Sequence, residues 1–155
     1  MKIDIPGRAP LLLEDLVLDF NGTLACDGIL CDGVRERLAD LAGQLRIHVV
    51  TGDTFGHAAA QLEGVPCTLN VLPSAGQLEA KRAYVDALGA ERAVCIGNGF
   101  NDRLMLEAAG LSIAILQDEG VATGTLLAAD IVVKRVVDAL DLLLKPLRLV
   151  ATLRH

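Results

Sequence analysis

The chain has 155 residues, a usual length for one domain, and its 14 basic and 20 acidic residues give a net charge of −6. Aromatic residues make up only 3% of it, so it lacks both the basic stripe and the stacking aromatics of a nucleic-acid-binding surface. We therefore predict one domain, residues 1–155, that binds neither nucleic acid nor an anionic membrane. Its core must come from Leu, Val, Ile and Ala, as in a buried parallel sheet.

No apolar run reaches the roughly 20 residues of a transmembrane helix, because charged residues interrupt the most apolar region, 126–153. Acidic residues and Pro6 lie near the N-terminus, where a signal peptide needs an apolar stretch. These two features predict a cytoplasmic protein.

The four cysteines form no convincing metal site. Cys67 and Cys95 lie in predicted strands, where a cysteine is an inert core residue. Cys26 and Cys31 flank a loop, but their spacing matches no zinc pattern and no second pair completes one. A reversible disulfide between them is the alternative to two free thiols.

Short apolar runs alternate with segments of helical periodicity along the chain. The segment around Pro6 is predicted to form an extra strand or hairpin. The main strands are predicted at residues 16–18, 47–50, 93–96, 113–116 and 131–133, with a weaker run at 67–72.

Six helices are predicted between these strands. The first has Asp32 as its N-cap and carries an apolar stripe of Val34, Leu38, Leu41 and Leu45. The third is predicted to begin at Lys81 and to stop at Gly89. The others are predicted at 57–62, 102–109, 123–128 and 136–144.

Strands and helices in alternation predict an α/β fold, a three-layer doubly wound parallel sheet. Ligands of such sheets bind at the carboxyl ends of the strands, so the polar residues that follow each apolar run are candidates for a site. They are Asp19, Asn21 and Thr23 after the first run, Thr51, Gly52 and Asp53 after the second, and Asn98, Asn101 and Asp102 after the third.

The order of these motifs resembles the haloacid dehalogenase superfamily of phosphotransferases. The matching residues are Asp-Phe-Asn-Gly-Thr at 19–23, then Thr51, Lys81, and Gly-Asn-Gly-Phe-Asn-Asp at 97–102. Each motif is weak alone, but four in order, each on the expected element, are specific. Residues 98–105 resemble the soluble subgroup that is related to the phosphorylation domain of P-type ATPases.

The resemblance implies a Mg²⁺-dependent phosphohydrolase. Asp19 would be the nucleophile that forms an aspartyl-phosphate. Mg²⁺ would bind Asp19, the backbone carbonyl of Asn21, and the side chains of Asn98 and Asp102. The phosphate-binding residues would be Thr51, Gly52, Asn21 and Lys81, with Lys81 supplying positive charge to the reaction.

Two amides replace acids of the family pattern. Asn21 stands where phosphatases of this family carry an Asp as general acid/base, and an amide can neither protonate a leaving group nor deprotonate water. The loss of that help typically costs about 10²–10⁴-fold in rate, so slow hydrolysis is expected, with a preference for acyl or aryl phosphates. Asn98 stands where the family has a metal-binding Asp, so weaker metal affinity is expected.

No inserted cap domain is expected, because the segments 23–32 and 63–80 are too short. An open site suits a phosphorylated small molecule or a phosphoprotein as substrate, or a cap from another subunit. The apolar, basic tail 146–155 is a candidate contact for a homo-oligomer.

Each candidate residue also has a purely structural interpretation. Asp19 can form a turn, Thr51 and Asp53 can cap a helix, Lys81 can lie on a solvated face, and Asp102 can favour a helix start. The main alternative function is a non-catalytic phosphate-binding or regulatory module of the same fold. A receiver domain is less compatible, because its phosphorylated Asp follows a middle strand of the chain, whereas Asp19 follows the first strand of the alternating core.

Overall fold

The computed structural model describes residues 1–53 and 56–154, and the central strands of its main sheet are buried and rich in Leu, Val, Ile and Ala. In chain order the strands are β1 (Lys2–Ile3), β2 (Leu11–Leu12), β3 (Asp15–Leu18), β4 (Ala25–Cys26), β5 (Ile29–Leu30), β6 (Arg46–Thr51), β7 (Thr68–Val71), β8 (Ala93–Gly97), β9 (Leu111–Ile115) and β10 (Ile131–Val133). The helices are α1 (Val34–Leu41), α2 (Ala58–Gln61), α3 (Gln77–Leu88), α4 (Arg103–Ala108), α5 (Thr123–Ala128), α6 (Val136–Leu144) and α7 (Pro146–Leu153). Short 3-10 turns cover Ala90–Arg92 and Phe100–Asp102.

Six strands form one parallel sheet in the order β10-β9-β8-β3-β6-β7, which confirms the predicted α/β class. Strand β3 is buried on both faces because its alternating side chains enter two different cores. Leu16 and Leu18 join the core shared with α1 and α6, while Val17 joins the core that contains Val85 of α3 and Met105 of α4. The sheet is therefore the middle of three layers.

The topological switch point of the sheet lies at the carboxyl end of β3. Strand β6, the next strand of the sheet along the chain, pairs with one edge of β3, and β8 pairs with the other. The helix that leads out of β3, α1, and the helix that leads out of β8, α4, cover opposite faces of the sheet, which opens a crevice at the carboxyl ends of these two strands. Asp19, the residue after β3, therefore lies at the position where ligands of such sheets bind.

Two hairpins accompany the sheet. The N-terminal segment forms the predicted hairpin, in which β1 and β2 pair antiparallel. A second hairpin, β4–β5, follows the Asp19 motif and fills the segment where the sequence predicts only a loop. The weak run at 67–72 contains a real strand, β7, at one edge of the sheet. Cys67, predicted to be a core residue of this strand, lies just before it and is only half-buried.

Three local predictions were wrong. Asp32 is not the N-cap of α1; that position is Gly33, whose left-handed backbone (φ 80°) suits glycine. Leu45 is buried as predicted but lies beyond the end of α1. Lys81 lies inside α3, whose first residue is Gln77, and not at the start of a helix.

The C-terminal tail folds onto its own chain. Helix α7 packs against α6 and buries Leu149, while Leu147 remains exposed. The oligomeric contact that we predict for this tail remains a prediction, and its last residue, His155, is outside the described residues. Among the helices of the described residues, none is long and apolar enough to cross a membrane.

Cys26 lies at the end of β4, and Cys31 directly follows β5. Both are free thiols. Burial raises the pKa of the Cys31 thiol to about 11, so little thiolate is present at neutral pH. Oxidation to the disulfide is therefore expected to be slow.

A buried charge cluster closes the amino end of the sheet. The Asp15 carboxylate accepts two hydrogen bonds from Arg46, at 2.7 and 2.8 Å, and lies 2.9 Å from Nε2 of His48. The other ring nitrogen of His48 lies 2.9 Å from the Tyr84 hydroxyl. Burial opposes ionisation of Asp15, but the hydrogen bonds and charges of Arg46 and His48 outweigh it and lower the pKa of the Asp15 carboxyl. The cluster ties β3 to β6 and α3.

The lowered pKa makes the contribution of Asp15 to stability dependent on pH. A carboxyl whose folded pKa is depressed stabilises the fold above its unfolded pKa, about 3.9, and loses this effect as the pH falls through the folded value. We expect Asp15→Asn to lower the free energy of unfolding by about 2 kcal/mol at pH 7 and by less at pH 3. Urea unfolding at both pH values measures this difference. Asp4→Asn, in an exposed pair with Lys2, is the control, and a difference equal at both pH values would contradict the prediction.

Candidate active site

Lys81 lies between two carboxylates at the switch point. Its Nζ is 2.6 Å from Oδ1 of Asp19 and 2.6 Å from Oδ1 of Asp102. Lys81 and Asp102 are completely buried, and Asp19 is 5% exposed. Charged side chains are almost never buried unless they are paired, and the two ion pairs with these acids allow Lys81 of α3 to be buried. The three residues come from three sequence motifs, which the fold brings into one cluster.

When both acids are ionised, the two carboxylates and one ammonium group of this cluster leave one excess negative charge. Burial raises the pKa of the Asp19 carboxyl, the charge of Asp102 raises it further, and Lys81 lowers it without cancelling the other two effects. Burial works against the charge of Lys81, but Asp102 and Asp19 outweigh it and raise the pKa of the ammonium group. Lys81 therefore stays protonated, and a further cation near Asp19 would favour the ionised carboxylate.

Asp102 is held by the loop that precedes it. Its Oδ2 accepts hydrogen bonds from the backbone N–H groups of Asn98, at 2.9 Å, and Gly99, at 2.8 Å. A side chain on Gly97 would collide with the Asp102 carboxylate, since a Cβ there would lie 2.5 Å from it. The Gly-Asn-Gly motif therefore lets the backbone after β8 pack closely around the Asp102 carboxylate and orient it towards Lys81.

Asn98 connects three parts of the site. Its Oδ1 accepts a hydrogen bond from the Thr23 hydroxyl at 3.0 Å, and its Nδ2 donates to the Gly120 carbonyl at 2.9 Å. Gly22, with φ 76°, passes so close that a Cβ would lie 2.3 Å from the Asn98 amide. The Asn-Gly-Thr segment after Asp19 therefore packs directly on the motif at 97–102, as the sequence predicts.

Asn21 contains an unsatisfied polar atom. Its Oδ1 is buried and has no hydrogen-bond partner among the described residues. A buried amide oxygen without a partner is unfavourable by about 1–3 kcal/mol, which makes it a candidate contact for a ligand or water. It lies two residues after Asp19, at the position where the family pattern has its acid/base.

Thr51 and Gly52 end β6, next to β3. Thr51 is 1% exposed and its Oγ1 accepts the Asp53 N–H at 3.0 Å, which leaves the hydroxyl proton available to donate. The Asp53 carboxylate accepts the N–H groups of His57 and Ala58, at 2.9 and 3.0 Å, and so stabilises the start of α2. The N-cap residue itself is His57, so the prediction of Asp53 as the N-cap was wrong. The phosphate contacts that we predict for Thr51 and Gly52 remain predictions.

Sequence reasoning missed the side chains that tie the site to its surroundings. The Gln117 Nε2 donates to the carbonyls of Gly22, at 3.1 Å, and Thr23, at 2.6 Å, while its Oε1 accepts the Val136 N–H at 3.1 Å. The Thr125 hydroxyl donates to the Gly99 carbonyl at 2.7 Å. Gln117 follows β9 at the same edge of the sheet as Asp19, and this position was the one signal in the sequence that could have found it.

The residues near Asp19 fit a hard cation with few protein ligands. The candidate donors are the second oxygen of Asp19, the backbone carbonyl of Asn21, and the side-chain oxygen of Asn98, which already accepts one hydrogen bond from Thr23. Mg²⁺ prefers oxygen donors and often keeps several waters beside one or two carboxylates. Both oxygens of Asp102 already accept hydrogen bonds from Lys81 or the backbone, so its role as a metal ligand remains a prediction. The described residues contain no group of three or more His, Cys, Asp or Glu side chains placed to hold a metal.

The fold is that of the haloacid dehalogenase phosphatases. A cobalt-bound deoxy-D-mannose-octulosonate 8-phosphate phosphatase from Haemophilus influenzae superposes with a TM-score of 0.70 at 16% identity, over 86% of this chain and 88% of that one. The 3-deoxy-D-manno-octulosonate 8-phosphate phosphatase from Moraxella catarrhalis, in complex with a magnesium ion, a phosphate ion and a KDO molecule, gives a TM-score of 0.68 at 16% identity, over 87% of each chain. A phospho-aspartyl intermediate analogue of phosphoserine phosphatase gives 0.64 at 16% identity, over 86% of this chain and 99% of that one.

Two sequence relatives define the family more narrowly. The chain is 52% identical over 64 residues to the uncharacterized protein MJ0073 of Methanocaldococcus jannaschii, which covers 41% of this chain and 69% of that protein. It is also 44% identical over 39 residues to the uncharacterized protein MJ0072 of the same organism, over 25% of this chain and 89% of that one. The chain belongs to the family of these proteins. No family model matches it.

Proposed function

We propose that the chain is a Mg²⁺-dependent phosphohydrolase that acts through an aspartyl-phosphate on Asp19. The observation that carries this proposal is the cluster of Asp19, Lys81 and Asp102, buried together at the switch point of the sheet. Burial of a Lys between two acids carries a desolvation penalty, so the presence of such a cluster favours a functional role over a purely structural one. Ionisable residues with perturbed pKa values in a crevice are also typical of active sites. The similarity of the fold to phosphatases supports the same reaction class.

In the proposed reaction, the free Oδ2 of Asp19 attacks the phosphorus atom in line with the leaving group. The P–O bond to the leaving group breaks as the bond to Asp19 forms, and water later cleaves the aspartyl-phosphate to give phosphate and the free carboxylate. Lys81 contributes positive charge at the nucleophile, where negative charge from the phosphoryl oxygens accumulates. The Thr51 hydroxyl and the Gly52 N–H, at the end of the neighbouring strand β6, would donate hydrogen bonds to those oxygens.

A bound Mg²⁺ would neutralise charge on the phosphoryl oxygens. Asp19, the Asn21 carbonyl and Asn98 would hold it. The excess negative charge of the Asp19, Lys81 and Asp102 cluster favours a cation here, but the amide of Asn98 carries no charge to match the ion. We therefore expect weaker binding than in a site with a second free carboxylate.

The substrates follow from the residue at position 21. The Asn21 amide cannot protonate a leaving alkoxide, so substrates whose leaving groups are stable anions should react fastest. Acyl and aryl phosphates have such leaving groups. The substrate is a phosphorylated small molecule or a phosphoprotein of this chemical type.

Labelling with acetyl phosphate tests the proposal. We expect Mg²⁺ and acetyl phosphate to add one phosphoryl group to the protein, on the peptide that contains Asp19, and the label to decay after acetyl phosphate is removed. Mass spectrometry after acid quenching detects it. Asp19→Asn should show no label, whereas Asp53→Asn, a capping residue, should be labelled like the wild type.

The outcome also separates the alternative function. A label on Asp19 that persists without turnover would indicate the regulatory module, which Asn21 in place of an acid favours. The absence of any label on the wild-type protein, with or without Mg²⁺, would contradict the proposed phosphohydrolase.

A further inference from the structure

Gln77 lies on the same face of α3 as Lys81, one helical turn nearer the start of the helix. Helix α3 follows β7 and leads into β8, so its first turn lies at the carboxyl edge of the sheet, where the site opens. Lys81 is completely buried and Gln77 is half-buried. Four residues of helix rise place Gln77 about 6 Å further out than Lys81, at the mouth of the site.

A hydrogen bond holds the Gln77 side-chain amide in place at the opening of the site. Its Oε1 accepts a hydrogen bond from Nδ2 of Asn101 at 2.8 Å, which joins α3 to the motif at 97–102. Its Nε2 points at Gly52, where a Cβ would lie only 2.2 Å from it. The absence of a side chain at Gly52 therefore lets the Gln77 amide reach the residue that is predicted to bind phosphate.

The Gln77 Nε2 has a weak acceptor within the protein. The shortest one that the described residues offer is the Ser74 carbonyl, at 3.5 Å, which is at the outer limit of a hydrogen bond. The Gln77 Nε2–H therefore has only a weak acceptor, and it lies next to Gly52 at the edge of the crevice. From there it can donate a hydrogen bond to a ligand. Because Gln77 lies about 6 Å further out than Lys81, its amide would face the part of a substrate beyond the phosphoryl group.

We propose that Gln77 is a specificity-determining residue that donates its Nε2–H to the leaving group, and that it selects acyl phosphates. This inference rests on the proposed function. The carbonyl oxygen of an acyl phosphate lies two bonds from the bridging oxygen and accepts such a hydrogen bond. An aryl phosphate carries no acceptor at that position. The selection agrees with Asn21, since an acyl phosphate leaves as a carboxylate and needs no proton.

The variant Gln77→Leu, which keeps the bulk but removes the donor, tests the inference in the full-length protein. We expect the KM for acetyl phosphate to rise about tenfold, the equivalent of one lost hydrogen bond. The KM for p-nitrophenyl phosphate and the inhibition constant of inorganic phosphate should stay within about twofold of the wild type. The exposed Gln44→Leu, at the opposite end of the sheet, is the matched control and should change none of these constants.

The results separate this inference from the proposed function. If the wild type hydrolyses both substrates but Gln77→Leu changes neither KM, or raises both KM values equally, the leaving-group contact is wrong while the phosphohydrolase stands. A loss of inorganic phosphate affinity equal to the loss for acetyl phosphate would also overturn it, because the contact would then be to the phosphoryl group. If the wild type hydrolyses neither substrate, the proposed function itself fails. Asn101→Ala, which frees the Gln77 amide, should raise only the KM for acetyl phosphate, and by less than Gln77→Leu does.

Discussion

Replacement of Lys81 by Met should both destabilise the protein and prevent phosphoryl transfer to Asp19. Removal of the ammonium group leaves the carboxylates of Asp19 and Asp102 buried without their shared opposite charge. The loss of one partner from a buried ion pair typically lowers the free energy of unfolding by about 3–5 kcal/mol. We therefore expect Lys81→Met to lose stability in that range in urea unfolding at pH 7, and to take up no label from acetyl phosphate.

A second substitution separates stability from chemistry. In Lys81→Met, the further change Asp102→Asn removes one of the two unpaired charges and should recover at least half of the lost stability. It should not restore labelling of Asp19, because the positive charge beside the nucleophile is still missing. Such non-additive behaviour is expected only for residues in direct contact.

The control for this experiment is Lys145→Met. Lys145 forms an exposed pair with Asp141 at 3.5 Å, and exposed pairs contribute at most about 1 kcal/mol. This variant should keep both stability and labelling. If Lys81→Met were as stable as Lys145→Met and still carried the label, the buried cluster would have neither the structural nor the chemical role assigned to it.

Much of the site could be predicted from the sequence because its parts are strand ends. A buried parallel strand is a short apolar run, and the fold brings the residues after such runs to one edge. Asp19, Thr51 and Asp102 could be placed together for this reason, and Lys81 through the order of the motifs. The helix bounds of α5 and α6 were also predicted correctly, since apolar periodicity and polar flanks agree there.

The rest depends on contacts between side chains far apart in the sequence. Gln117 holds Thr23 across 94 residues, and nothing in the local sequence of either residue indicates this contact. Gln77 is a helix-surface residue by its periodicity and becomes part of the site only because Gly52 and Asn101 face it. The β4–β5 hairpin was missed because strands of two residues carry too little periodicity to be recognised.

Replacement of Asn21 by Asp should raise turnover, because position 21 is where an acid/base would act. The Asn21 Oδ1 is buried and without a partner among the described residues, so replacing it with a carboxylate oxygen breaks no hydrogen bond of that oxygen to these residues. A carboxyl group there can protonate the leaving oxygen and then deprotonate the attacking water. General acid–base help is typically about 10²–10⁴-fold, and we expect a gain of about 100-fold for alkyl phosphates. Acetyl phosphate should gain less in its first step, since its leaving group needs no proton.

The dependence of rate on leaving group distinguishes this mechanism from a general change in the site. For the wild type, the rate should fall steeply as the pKa of the leaving group rises, and Asn21→Asp should flatten this dependence because the acid now supplies the proton. The pH profile of Asn21→Asp should also gain a limb that reports ionisation of the new carboxyl group. Asn70→Asp on β7 is the matched control and should leave both profiles unchanged. A folded Asn21→Asp protein with unchanged or lower turnover for alkyl phosphates would mean that position 21 does not face the leaving group, and the slow chemistry expected of the wild type would then need another cause.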